Sequence, residues 1–403
     1  MINVAVLGYG TVGSGVVEVI ESNNTEVSRK AGEEMHVKYI LDLRDFPGDP
    51  YEDKVIHDFN VILEDTSVSI VCEVMGGVGA AYQFTKQLLE SGRSVCTSNK
   101  ELVAKHGAEL LEIAREKNCS YMFEASVGGG IPVIRPITKA LTAEKIEKID
   151  AILNGTTNYI LTKMEREGAD YEETLKKAQE LGYAERNPEA DVEGYDACRK
   201  IAILSSLMTG KNVDSEKLYT EGITGISTAD FVYAGAASMT IKLLASSRTM
   251  EDGSVLAMVA PALVPKEHPL AVVNDVFNGV FVTGNMLGDV MFYGRGAGKL
   301  PTASAVVSDV VDCARHIGRC SIVCIWDKEE ARLADVAESR RRFFVRVKAS
   351  AGEKAREMFP GCSPVDAGRT EDTAFFTAEM KEKDFEEKCR ALGDAVLSRI
   401  RLS

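Results

Sequence analysis

The chain has 403 residues, 45% of them hydrophobic, with 61 acidic against 47 basic side chains and a formal net charge of −14. That length holds two or three domains with sizeable cores, and that acidity excludes nucleic acid as a general partner, because phosphate binding needs clustered Lys and Arg. No 18-residue apolar run marks a membrane span, and nine cysteines, odd in number and irregular in spacing, exclude a disulfide framework and point to a reducing compartment.

The first apolar run, Ile2 to Leu7, ends directly in Gly8-Tyr9-Gly10-Thr11-Val12-Gly13, and a helical pattern follows to Glu21. Strand, G-x-G-x-x-G and helix in that order are expected of a dinucleotide-binding turn. Gly8 allows the tight turn, Gly10 the approach of a pyrophosphate, and Gly13 close packing of helix on strand. The free N–H groups of the helix start would face the phosphates. Such a cofactor implies hydride transfer; the competing reading is a tight turn with no ligand. A chain that enters a strand at once leaves no room for a signal peptide, so a cytoplasmic location is expected.

Strand and helix then alternate. Strands are expected at Val37–Leu43, Ile70–Met75, Ser94–Thr97 and Tyr121–Glu124, with helices at Val61–Glu64, Ala80–Ser91 and Ala108–Lys117. That alternation predicts a doubly wound parallel sheet, in which ligands sit beyond the carboxyl ends of the strands. Four segments occupy such positions: Gly8–Gly13, Met75-Gly76-Gly77, Thr97-Ser98-Asn99-Lys100 and Glu124-Ala125-Ser126-Val127. Lys100 therefore reads as a lysine at the crevice, against the alternative of a solvated loop lysine. Glu124 leads into Gly128-Gly129-Gly130-Ile131, a stretch that suits either carbonyl ligation of a cation with Glu124 as the charged ligand, or a hinge.

From Pro132 to about Pro301 the pattern becomes α+β. Strands at Ile146–Leu153 and Val276–Val282 flank helices at Tyr171–Leu181 and Asp196–Thr209. Asn154-Gly155-Thr156-Thr157-Asn158 ends a strand and opens a helix, which suits a helix cap or the close approach of a polar ligand. Asp196 and Lys200 stand i, i+4 at the start of a helix that is apolar beyond them. A desolvated lysine there suits acid–base chemistry, and a simple stabilising ion pair is the alternative.

Gly294-Arg295-Gly296-Ala297-Gly298-Lys299 fails the spacing of a phosphate loop and reads as a backbone cradle before the apolar helix Thr302–Ile317, which returns to the first sheet. Cys320 and Cys324 lack a partner pair or matching His, so no zinc site is expected. Residues 327–340 are charged and read as a linker. The last stretch, 341–403, predicts a small α/β appendage with strands at Phe343–Lys348 and Ala374–Met380 and a helix at Asp384–Leu392.

From residue 1 to about 318 the chain resembles homoserine dehydrogenases. The resemblance is carried by VLGYGTVGSG, VMGG, TSNK, EASVGGGIP, ILNGTTNYI, LGYAERNPEADVEGYDACRK, LVPKEHPL and MFYGRGAGKLPTASAVVSD, in that order. It implies a Rossmann-type domain at 1–131 with the return helix 302–318, a catalytic and dimerisation domain at 132–301, and a small ACT-like α/β domain at 341–403. It implies reversible reduction of L-aspartate 4-semialdehyde to L-homoserine by NADH or NADPH, a step toward threonine, methionine and isoleucine, in a homodimer. By the same resemblance Gly8, Gly10, Thr11, Val12, Gly13 and Gly298 contact the cofactor, and Lys100 lies near the nicotinamide and takes part in catalysis. Lys200 is the proton donor, Glu185 and Asp196 bind the substrate's amino group, and Gly155 lies near cofactor and substrate. Glu124 with Val127, Gly129 and Ile131 forms a monovalent-cation site, usually sodium.

Two segments depart from the family pattern. Leu41-Asp42-Leu43-Arg44-Asp45-Phe46 offers Arg44 to a 2′-phosphate and Asp42 to a ribose hydroxyl, and the reading leans to NADP with NAD as the alternative. In the tail, Ser350-Ala351-Gly352-Glu353 leads quickly to Pro360-Gly361 where a long helix belongs, so a shortened ACT-like fold with little threonine response is expected. Another dehydrogenase of this architecture is the competing function, and a non-catalytic dinucleotide sensor, which needs neither lysine, is the alternative from a different class.

Overall fold

The computed structural model describes residues 1–321 and 325–403, so Cys324 lies outside the described residues. The chain falls into two compact units: residues 1–145, 202–215 and 294–331, and residues 146–201, 216–293 and 332–403. None of the described helices is long and apolar enough to cross a membrane.

The first stretch runs β1 (Ile2–Leu7), α1 (Thr11–Ser22), α2 (Asn24–Ala31), β2 (Met35–Leu41), β3 (Val55–Ile56), α3 (Phe59–Glu64), β4 (Val68–Glu73), α4 (Gly79–Glu90), β5 (Ser94–Thr97), α5 (Lys100–Glu116) and β6 (Tyr121–Met122). Then follow β7 (Ile146–Ile152), α6 (Gly155–Glu167), α7 (Tyr171–Glu180), α8 (Glu189–Val192), α9 (Tyr195–Thr209), β8 (Lys211–Asn212), β9 (Tyr219–Thr220), α10 (Thr228–Ala236), β10 (Met239–Thr249), β11 (Val255–Pro265), β12 (Phe277–Gly284) and β13 (Gly288–Arg295). The rest is α11 (Lys299–Arg315), β14 (Asp327–Glu330), β15 (Arg340–Arg341), β16 (Phe343–Lys348), α12 (Gly352–Met358), β17 (Ser363–Val365), β18 (Asp372–Phe376), β19 (Met380–Lys381), α13 (Glu382–Leu392) and β20 (Val396–Leu402).

In the first unit six parallel strands take the order β3-β2-β1-β4-β5-β6. This is the doubly wound arrangement of dinucleotide-binding folds, with its switch point between β1 and β4. Val4, Ala5, Val6 and Leu7 of β1 are fully buried, as a central strand covered on both faces must be. The apolar helix α11 lies on this unit: Gly15 of α1 approaches it so closely that a Cβ there would stand 3.0 Å from Ala303 Cβ and Lys299 O.

The second unit is built on a ten-stranded sheet whose main path is β13-β12-β7-β10-β11-β20-β16-β18-β17, with β9 paired to β11. The C-terminal segment is a complete β-α-β-β-α-β motif, β16-α12-β17-β18-α13-β20, in the order 4-1-3-2. Its first helix has seven residues. Phe343, Phe359, Phe375 and Phe385 fill its core. It is no detached appendage, because β20 pairs in parallel with β11.

The expected linker at 327–340 is structured. Asp327–Glu330 pairs with β8, Arg340–Arg341 pairs with β19, and Trp326 just before is fully buried. Its charge misled because edge strands carry charged side chains as protection. The strand expected at Val276–Val282 is interior, flanked by β7 and β13.

Candidate functional site

In the first unit the turn after β1 is fixed by contact rather than by capping. Gly8 takes φ +94°, and its N–H donates to Leu41 O at 2.8 Å. A Cβ on Gly13 would stand 1.8 Å from Gly8 O, so helix start and turn touch through bare backbone, whereas a Cβ on Gly10 would meet nothing within 4 Å. The turn thus leaves open space at Gly10, and α1 starts with no side-chain cap on its first amides. That cradle fits a pyrophosphate.

The end of β2 supplies the next feature. The Asp42 carboxylate accepts Tyr9 N–H at 2.8 Å and pairs with Arg44, Nε to Oδ1 and Nη2 to Oδ2 both at 3.0 Å. The Arg44 guanidinium, whose hydrogen bond is the largest influence, holds the Asp42 carboxyl well below the usual range. Arg44 also lies over the Phe46 ring at 5.0 Å. The expected phosphate clamp is therefore folded onto a carboxylate.

Lys100 opens a helix, not a loop. Asn99 caps α5, its Oδ1 accepting Leu102 N–H at 3.1 Å, and Lys100 is the first helical residue. Gly298 sits at φ +123°, ψ 151°, a conformation that suits glycine, and α11 begins at the next residue without a side-chain cap.

The Glu124 region is organised differently from the expectation of a charged ligand. Glu124 Oε1 accepts the N–H groups of Val133 and Ile134 at 2.6 and 2.8 Å, and Oε2 accepts Arg135 N–H at 2.7 Å. Its carboxylate thus caps the backbone ahead of Pro136–Ala140. Below it Asp309 accepts Glu124 N–H at 2.9 Å and pairs with Arg135. Burial pushes the Asp309 carboxyl up to about 7 against the pull of Arg135. The triple glycine is packed tightly: a Cβ on Gly129 would stand 2.4 Å from Gly296 O, and Gly130 N–H donates to Arg295 O at 3.2 Å. This explains both glycine-rich stretches as one close backbone contact. Val127 and Ile131 beside it are buried, and main-chain carbonyls are the groups that they and Gly129 could offer a cation.

In the second unit Lys200, Asp196 and the start of α6 come together. Lys200 and Asp196 are buried; Lys200 Nζ donates to Asp196 Oδ2 at 2.7 Å and to Leu153 O at 2.8 Å. Asn154 binds the same Asp196 Oδ2 at 3.0 Å and Asp191 Oδ1 at 2.7 Å through Nδ2, while its Oδ1 caps α6 at Thr157 N–H, 2.8 Å. Asn154 is thus the helix cap that one reading expected, and it also orients two carboxylates. Gly155 is required by a neighbour, since a Cβ there would stand 3.0 Å from Val276 O. Glu185 is exposed, on the segment between α7 and α8, and its carbonyl accepts Gln179 Nε2 at 3.1 Å.

Comparison with known proteins fits this geometry. A family model described as homoserine dehydrogenase matches residues 132–311, and one described as its NAD-binding domain matches residues 8–124. The chain is 43% identical over 324 residues to a homoserine dehydrogenase of Bacillus subtilis, covering 78% of this chain and 73% of that protein. It is 45% identical over 317 residues to one of Synechocystis, covering 77% and 73%. The crystal structure of a homoserine dehydrogenase from Thiobacillus denitrificans superposes with a TM-score of 0.91 at 33% identity, covering 100% of this chain and 98% of that one. A hyperthermophilic archaeal homoserine dehydrogenase in complex with NADPH superposes at 0.65, with 27% identity, over 77% of this chain and 97% of that one.

The chain belongs to the homoserine dehydrogenase family. As a homoserine dehydrogenase it interconverts L-homoserine and L-aspartate 4-semialdehyde with NAD(P), an oxidoreductase acting on a CH–OH group, in keeping with a role in amino-acid biosynthesis. The acidic residue that sequence reasoning passed over as a site is Asp191. Its signal was present in the run of carboxylates from Glu185 to Asp196, but nothing in spacing joins it to Asn154, 37 residues earlier.

Proposed function

We propose that Lys200 is the proton donor and acceptor of this homoserine dehydrogenase. The observation that carries the reading is the buried Lys200–Asp196–Asn154 network in the second unit. Bound NAD(P) supplies the hydride in one direction and accepts it in the other. In the reducing direction negative charge grows on the aldehyde oxygen, and an ammonium held by Asp196 and Leu153 O stabilises it and delivers the proton. In the oxidising direction the same nitrogen takes the hydroxyl proton. Asp196 and Glu185 receive the substrate's ammonium group, Asn154 fixes the direction of Asp196, and Gly155 keeps the start of α6 open to close approach.

Lys100, at the start of α5 beyond β5, acts from the nicotinamide side. Gly8, Gly10, Thr11, Val12, Gly13 and Gly298 form the cofactor's backbone contacts. The reading of cofactor choice moves from NADP toward NAD, because Arg44 is neutralised by Asp42 and Asp42 itself repels a 2′-phosphate while accepting from a free ribose hydroxyl. Main-chain carbonyls of Glu124, Val127, Gly129 and Ile131 suit a hard monovalent cation such as sodium. The enzyme works as a homodimer. Support for assembly comes from the β12–β13 hairpin, whose edge strand carries Tyr293 and whose turn exposes Met286 and Leu287.

The deciding assay follows absorbance at the reduced-nicotinamide band with L-homoserine and each oxidised cofactor, and with aspartate and malate as controls. Turnover on homoserine that survives Lys200→Ala unchanged would remove this lysine from the reaction.

A further inference from the structure

Two loops close the carboxyl ends of β4 and β5, and one buried carboxyl joins them. Glu73, the last residue of β4, is fully buried. Its Oε1 accepts Met75 N–H at 2.9 Å, and its Oε2 accepts the Thr97 hydroxyl at 2.6 Å. Thr97 Oγ1 accepts Asn99 N–H at 2.9 Å. Asn99 then ties the first loop again, donating from Nδ2 to Gly77 O at 2.7 Å, while its Oδ1 caps α5 at Leu102. The bonds form a closed ring through both loops, and Lys100 is the residue that follows the cap.

We propose that Glu73 is a positioning residue for Lys100, acting through Thr97 and Asn99 to fix the helix start from which that lysine works. This rests on the reading of Lys100 as a participant in the reaction. A buried carboxyl is a costly way to hold two donors that a neutral side chain could satisfy. Here it stands beneath the crevice, at the junction of both crevice loops. Small displacements at such a point are large in rate, since misplacing a reacting group by about 1 Å costs on the order of a hundredfold.

The ring also responds to protonation. Burial pushes Glu73 up to about 7, opposed by the bonds from Thr97, Met75 and Asn99. One titratable group on another strand is coupled to it. Tyr121 of β6 is buried, coupled electrostatically to Glu73, and its hydroxyl lacks a hydrogen-bond partner among the described residues. Asp309 of α11 is coupled to Cys72 and Cys96, the neighbours of Glu73 and Thr97 on their strands, which point to the opposite face of the sheet. Ionised, Glu73 accepts from both loops. Protonated, it carries a hydrogen of its own toward Thr97, whose hydroxyl must turn away, and the relay to the Asn99 cap changes.

The test is steady-state oxidation of L-homoserine by the full chain between about pH 6 and 9.5, with wild type, Glu73→Gln, Thr97→Val, Thr97→Ser and Lys100→Ala. Glu73→Gln and Thr97→Val are expected to lower kcat about tenfold or more, with KM for homoserine little changed. Thr97→Ser, which keeps the hydroxyl, is expected to restore kcat. The acidic limb of wild-type kcat near pH 7 is expected to vanish in Glu73→Gln. Wild-type kcat in both Glu73→Gln and Thr97→Val, with Lys100→Ala impaired, overturns the role of Glu73 and leaves Lys100 standing. Normal turnover in Lys100→Ala overturns both. Equal losses in Thr97→Ser and Thr97→Val show packing rather than a hydroxyl relay and also overturn the proposal. Should Glu73→Gln fail to fold, the threonine pair decides.

Discussion

Lys200 Nζ lies 2.7 Å from Asp196 Oδ2, one helical turn apart on α9, with side chains only 10% and 6% exposed. A buried pair of this kind cannot lose one member without leaving the other charge uncompensated. Lys200→Ala is expected to lower kcat by roughly a hundredfold to ten-thousandfold, the range of a positioned acid–base group. Asp196→Asn is expected to impair both kcat and KM for homoserine if, as proposed, this carboxylate serves the lysine and the substrate ammonium together. Kinetics in both directions checks this, and a variant that changes KM alone would show Asp196 to be a binding group only. Lys100→Ala, measured alongside, is expected to lose orders of magnitude in kcat.

Gly10 and Gly13 separate cofactor binding from folding. A methyl on Gly10 meets no neighbour within 4 Å, and its φ of −81° suits alanine. Gly10→Ala is therefore expected to keep the melting temperature of wild type and to weaken cofactor binding, because the methyl enters the cradle itself. A methyl on Gly13 would stand 1.8 Å from Gly8 O, so Gly13→Ala is expected to lose stability and cofactor binding together. Thermal melts with cofactor titration by tryptophan-independent calorimetry check the pair. Equal behaviour of the two variants would show that Gly10 does not face the cofactor.

Asp42 decides the nucleotide if its pairing with Arg44 persists in the complex. Asp42→Ala removes the charge that opposes a 2′-phosphate and frees Arg44 to meet it. The ratio of kcat/KM for NADPH over NADH is expected to rise about tenfold, and Arg44→Ala is expected to lower it only slightly relative to wild type. A wild-type enzyme that prefers NADPH strongly would mean that Arg44 leaves Asp42 when the phosphate arrives.

The sequence displays the first unit well because each of its parts obeys a local rule. An apolar strand, a glycine turn and a helix in succession specify β1 and α1, and the lysine at 100 follows the short apolar run of β5. The second unit is harder to read. β10 and β11 are its longest strands, yet residues 255–264 of β11 are one continuous buried apolar run, which carries no period of two and holds Pro261 within it. The pairing of β20 with β11 joins residues about 140 apart through two ladder positions, Ala262 with Arg401 and Leu263 with Leu402, and no composition announces it. At the site, i, i+4 spacing gives Lys200 with Asp196, while the links from Asn154 to Asp191 and from Glu124 to the amides of 133–135 depend on how loops fold back. The bonds of the Glu124 carboxylate go to backbone groups, which a sequence does not display.

The first unit should lose stability as pH rises from about 5 to about 7. Burial raises Glu73 from 4.5 to about 7 and Asp309 from 3.8 to about 7. Between those values the native state holds protons that the unfolded state has released, so stability falls with rising pH, by on the order of 3 to 4 kcal/mol for each group at most. Below about pH 4 both states are protonated and the effect is gone. Above about 7 both are ionised and it is complete. Asp42 and Glu338 act in the opposite sense: Arg44 holds the first low, and Lys381 and Lys383 hold the second near 2, so their contribution is present above ordinary carboxylate values and fades only as pH drops below about 4. Lys242 in the second unit, pushed down to about 8 by burial, adds stability only as pH rises beyond that value. Melting temperatures are therefore expected to decline across pH 5 to 7, and Glu73→Gln with Asp309→Asn is expected to flatten the decline even if both variants start lower. A melting temperature that climbs through this window would show that Arg135 keeps Asp309 ionised throughout, and that the Thr97 and Met75 bonds do the same for Glu73.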